Sequence, residues 1–119
     1  MSRAYRTNAR HFAIFKAECE RCIRLYRIVG WRVEYAHEKM DNRAEYRCNY
    51  SDRTAELVLS SEWSGDTITD SRVRDSARHE VIHLLLAGLH TAALARHIER
   101  DRLAGVVEAT VRHLEEILP

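Results

Sequence analysis

His79-Glu80-Val81-Ile82-His83 reads H-E-x-x-H. Two imidazoles four residues apart are spaced so that one helix face can hold a metal ion. On an α-helix, positions i and i+4 lie one turn apart and about 40° round the axis. Both rings then project from the same face and can share a tetrahedral Zn²⁺ at about 2.0–2.1 Å. Glu80 stands about 100° away, beside the metal rather than on it. A carboxylate so placed can take a proton from metal-acidified water and act as general base and proton shuttle. With seven His and twelve Glu in 119 residues, chance yields this pattern in roughly 4% of chains of such composition. Context therefore decides. The motif falls in an apolar, helical stretch, where two imidazoles and a carboxylate are costly to bury without a partner. The plain alternative is a pair of hydrogen-bonded core histidines.

A catalytic zinc site needs a third protein ligand and one open position. Four residues are candidates: His90, His97, Glu108 and Glu115. His83, His90 and His97 are seven apart and share a stripe if the helix is unbroken, but seven residues rise about 10.5 Å, too far for one ion. Glu108 lies on the following helix, where an antiparallel return could set it opposite His79 and His83. It is the favoured candidate, with His90 second. The plain reading of Glu108 is an exposed i,i+4 pair with Arg112.

The surrounding elements must position these groups. Phe12, Phe15, Cys19, Cys22, Ile23, Tyr26 and Val29 recur at three- and four-residue steps, which predicts a helix from about residue 8 to 28, ended by Gly30. Residues 31–37, 44–50 and 54–60 alternate as strands, with short connections that favour an antiparallel meander. Residues 61–70 read as a polar loop. Asp70 or Ser71 can cap a buried helix from about 72 to 90. A last helical region, about 92 to 117 with a break near Asp101, carries an inner stripe of Leu103, Val107, Thr110, Val111, Leu114 and Leu118. The expected class is α+β: an N-terminal helix, a three-stranded mainly antiparallel sheet, then an active-site helix and a C-terminal helix.

Composition bounds the rest. The chain reads as one domain, residues 1–119, large enough for a core. Net charge is +1, with 17 Arg against 2 Lys. No apolar run approaches the roughly 18 residues of a membrane span, so no membrane partner is expected. The N-terminus has no apolar stretch typical of a secretory signal, and three Cys do not make a disulfide framework; a reducing cytoplasm is the expected compartment.

The motif and element order resemble the zincin metallopeptidases, and among them the gluzincins, whose smallest members, the minigluzincins, are single domains of about this size. Residues 71–90 (SRVRDSARHEVIHLLLAGLH) are also similar to small phage and prophage metallopeptidase-like proteins. The resemblance implies a zinc-dependent peptidase with one Zn²⁺ per chain, His79, His83 and Glu108 as ligands, and Glu80 as general base. Leu86 and Leu89 stand where metzincins carry Gly and His. Arg112 stands where many gluzincins carry an acidic residue that orients a ligand His, which leaves Glu115 or Asp75 for that task. Zincins bind peptide along an exposed edge strand, for which Ala55–Ser60 is the candidate. Tyr35, Tyr46, Tyr50, Arg112 and His113 are candidate oxyanion donors.

Two other readings stand beside this one. A metal site with a fourth protein ligand would make a non-catalytic structural or interaction protein, with a phage origin as one reading. The arginines at 3, 6, 10, 21, 24, 27 and 32 could contact phosphates, as in SprT-like proteases, although the scarcity of Lys and the balancing acids argue against a nucleic-acid partner. The expected partner is a peptide or protein substrate, and a homo-oligomer stays open. Cys19-Glu-Arg-Cys22 sits mid-helix in step with the apolar face and reads as core rather than redox motif.

Overall fold

The computed structural model describes residues 4–65, 67–95 and 97–119. In chain order it contains β1 (Ala4–Arg6), α1 (Ala9–Leu25), β2 (Arg32–Glu38), β3 (Ala44–Asn49), β4 (Thr54–Ser60), β5 (Glu62–Ser64), α2 (Asp70–Leu85), α3 (Ala87–Leu94) and α4 (Arg100–Ile117). This is the α+β class read from the sequence. Arg3 lies outside the described residues.

A capping box starts α1. The Asn8 side chain accepts from the His11 N–H, and the His11 ring accepts from the Asn8 N–H. The helix buries Phe15, Cys19 and Cys22. It stops at Leu25, about a turn earlier than its periodicity implies. Arg27 and Gly30, at φ 54° and 81°, then redirect the chain, and Val29 leaves the apolar face at 83% exposure. Burial raises the pKa of the Cys19 thiol, which packs against the Ala77 carbonyl. The two α1 cysteines are core.

The sheet differs from a meander. Its order is β2-β4-β3, with β2 parallel and β3 antiparallel to β4. Leu57, Val58 and Leu59 are all fully buried, so successive side chains are covered on both faces of β4. A strand buried on both faces belongs at the centre, whereas β2 and β3 have no fully buried residue and take the edges. Ala55–Ser60 is therefore the middle of the sheet and not the substrate-binding edge. On the outer face Arg47 pairs with Glu38, Glu45 and Glu56. On the inner face Ala55, Leu57 and Leu59 meet α1 and α2 to form the core.

The expected 61–70 loop contains β5, which pairs with β1. This two-stranded ribbon is fastened to the core. Trp63 is 1% exposed and donates its Nε1–H to the Arg43 carbonyl. Thr7 donates to the Ser60 carbonyl at 2.7 Å, so its oxygen accepts from His37 Nε2–H at 2.6 Å.

Thr69, rather than Asp70 or Ser71, caps α2 by accepting from the Arg72 N–H. Val73, Ala77, Glu80, Val81 and Leu84 form its buried face. The helix predicted to reach residue 90 breaks at Leu86 and restarts as α3. At Gly88 any Cβ would lie 3.0 Å from the Tyr50 hydroxyl. A side chain there would make the Tyr50 ring give way by a few tenths of an ångström. α4 starts at Arg100 after the N-cap Glu99 and buries no residue at all, and its predicted inner stripe leaves Val107, Val111 and Leu118 exposed.

Candidate metal centre

The H-E-x-x-H segment occupies the last two turns of α2. Helical spacing does locally what the sequence implies: the ligand atoms of His79, Glu80 and His83 all lie within 4.8 Å of one another. The two rings meet edge to face, with centroids 4.9 Å apart. A tetrahedral zinc at 2.0–2.1 Å holds its ligand atoms about 3.3 Å apart, so small side-chain rotations suffice. The two imidazoles are donors that zinc accepts, and the Glu80 carboxylate lies beside them.

Burial divides the three. His79 and His83 are exposed, and Glu80 is 6% exposed. Burial pushes the Glu80 carboxyl above the usual carboxylate range; His79 opposes the rise and Glu45 adds to it. Burial also holds His83 below its ordinary value, helped by His79 and His90. A depressed imidazole favours the neutral form, which is the metal-binding one. The Tyr46 ring stacks on His83 at 5.8 Å and 10°, which limits how that imidazole turns.

These groups line a cleft of about 700 Å³ between α2 and β3, with Asp75, Ser76 and His90 on the helical side and residues 42–46 on the other. His90 arrives there because α3 continues after the break at Leu86. Asp75 sits one turn before His79 and pairs with Arg78 at 2.7 Å. Glu108 is elsewhere. It lies on α4, largely exposed and paired with Arg112 at 3.4 Å, and does not line the cleft. Glu115 is likewise exposed on α4, and His97 is exposed beyond α3. The structure thus brings together His79, Glu80 and His83 and leaves Glu108 apart.

Of the five candidate oxyanion donors, Tyr46 alone lines this cleft, and its hydroxyl donates to Cys48 Sγ at 2.7 Å. His113 donates to the Tyr26 carbonyl, Arg112 serves Glu108, Tyr35 lies under Lys16, and Tyr50 lies under Arg53. Sequence reasoning missed β3 as the cleft wall. The consecutive apolar Leu57-Val58-Leu59 was the available cue, because it makes β4 central and leaves β3 outside. Comparison with family models, curated proteins and solved structures returns no match.

Proposed function

We propose that this chain is a small zinc-dependent metallopeptidase. The observation that carries the reading is the grouping of His79, Glu80 and His83 within 4.8 Å on the wall of an open cleft. Zinc bound there supplies Lewis acidity toward a carbonyl and acidifies water. Glu80, enclosed beside the imidazoles, accepts the proton of the attacking water and delivers it to the leaving amine. Its raised affinity for a proton supports the accepting half of that transfer.

β3 supplies the place for the peptide. The Arg43 carbonyl accepts from the Ser60 N–H, so by the alternation of an antiparallel ladder Ala44 and Tyr46 turn their backbone groups outward. An extended substrate can add to this edge by main-chain hydrogen bonds. The resemblance assigns the third ligand to Glu108, and α4 has to shift for that carboxylate to reach the cleft. His90 already stands on the cleft wall. Zinc affinity lost in Glu108→Gln but kept in His90→Ala assigns Glu108, and the reverse assigns His90.

The position of His90 also favours a second reading, a closed structural metal site without hydrolysis. Zinc removal separates the two. A catalytic site loses hydrolysis while the far-UV circular dichroism stays folded, whereas a structural site unfolds. The reading as a whole is tested by hydrolysis of an unstructured polypeptide by the zinc-loaded chain. Cleavage that chelation abolishes and zinc restores supports it.

A further inference from the structure

His79 and His83 are both exposed, and exposed side chains exchange rotamers on picosecond to nanosecond timescales. An imidazole that samples several rotamers loses that freedom when it binds a metal. Metal-binding histidines are therefore ordinarily held by a partner outside the coordination sphere, most often a carboxylate or a carbonyl. The acidic residues that could do this here are engaged elsewhere. Asp75 pairs with Arg78 at 2.7 Å. Glu45 lines the cleft but pairs with Arg47 at 2.7 Å. Glu108 and Glu115 are exposed on α4 and do not line the cleft.

What meets His83 instead is a ring. Tyr46 of β3 stacks on it with centroids 5.8 Å apart and planes 10° from parallel, within the 4.5–7 Å range of offset-stacked aromatic pairs. Tyr46 is itself well fixed. Its position on the strand lies opposite fully buried Leu57. Its side chain packs against the core cluster. Its hydroxyl donates to Cys48 Sγ at 2.7 Å. That contact uses the hydroxyl's single hydrogen, so the ring is what Tyr46 presents to the site. His79 is held differently: the ring against it is His83, edge to face at 4.9 Å. The two imidazoles are therefore unequal. One is stacked on a strand anchored in the core, and the other is set by its neighbour.

We propose that Tyr46 is a positioning residue of the metal centre: its ring, stacked on His83, holds that imidazole in the zinc-binding orientation before the ion arrives. This rests on the reading of His79 and His83 as zinc ligands. It gives the ring the task that a second carboxylate would otherwise perform. A stack restrains the plane of the imidazole through its face, and so leaves both ring nitrogens, which lie at the edge, open to the metal and to water.

Zinc affinity of the full chain, measured by competition with a chromophoric chelator, tests this. Tyr46→Val removes the ring and keeps a residue that suits a strand. It weakens zinc binding by about tenfold or more, the size of loss expected for an outer-shell partner. Tyr46→Phe keeps the ring without the hydroxyl and recovers most of that affinity. Far-UV circular dichroism of both variants matches the parent. In the metal-free parent, three-bond couplings to the His83 Cβ protons report a single χ1 rotamer, and in metal-free Tyr46→Val they report averaging. Zinc bound as tightly by Tyr46→Val as by the parent overturns the proposal and leaves the zinc reading standing. Tyr46→Phe as weak as Tyr46→Val assigns the effect to the hydroxyl and overturns it too. So does a metal-free parent in which His83 averages over rotamers. A parent that takes up no zinc overturns the zinc reading and this role with it.

Discussion

α2 and α4 are helices of similar length with opposite fates. α2 buries five residues against α1 and the sheet, and a side-chain cap at Thr69 fixes its start. α4 buries none and has no side-chain cap at Glu99. Both carry apolar stripes. An apolar stripe says that a helix face is covered, not by what. In α2 the cover is the chain itself, so its outward groups, His79 and His83, are held by a rigid base. In α4 much of the stripe faces solvent. The difference separates a helix anchored along its length by the core from one held along a single face.

The largest expected effects lie on α2. His79→Ala or His83→Ala removes one of two imidazoles and lowers zinc affinity more than about a hundredfold, exceeding the loss that outer-shell changes cause. Elemental analysis after dialysis reads this as a fall from about one zinc per chain toward none. Glu80→Gln keeps the zinc and lowers kcat by about 10²–10⁴.

Stability should follow the same division. Leu84, 2% exposed, lies on the buried face of the site helix, and Leu84→Ala costs about 2–5 kcal/mol in urea unfolding. Leu118, 62% exposed, is the counterpart on α4, and Leu118→Ala in dilute, monomeric protein changes stability by less than about 0.5 kcal/mol. Equal costs would erase the contrast between the helices. Thr69→Ala removes the α2 cap and costs about 1 kcal/mol.

The smallest effect concerns Glu80 without metal. Its carboxyl is raised by burial, so the folded chain holds that proton more tightly than the unfolded chain does. The stability this gives is complete below the usual carboxylate value and is lost as pH rises through the raised one. Metal-free Glu80→Gln should therefore melt above the metal-free parent at pH 7, with the gap closing below about pH 4. A gap that widens on acidification would reverse the sign.

Much of this architecture is legible in the residues. β2, β3, the α1 start region and the motif helix follow from periodicity, because each alternates polar and apolar residues, and β4 follows as a short apolar run. The grouping of His79, Glu80 and His83 follows from helix geometry alone. What was not legible depends on tertiary contact. β1 and β5 have three residues each, too short for a pattern. The β2-β4 parallel pairing shows only in the unbroken burial of Leu57, Val58 and Leu59. The break at Leu86 lies in an apolar run without proline, where no residue signals it. Glu108 matched a spacing, but which way α4 faces is decided by the docking of Val106, Thr110 and His113.

The most direct test of the central claim is hydrolysis of an unstructured polypeptide by zinc-loaded Glu80→Gln beside the zinc-loaded parent. The account predicts equal zinc content, cleavage by the parent and little or none by the variant. Undiminished cleavage by Glu80→Gln, or a parent that holds one zinc and cleaves nothing, would contradict it.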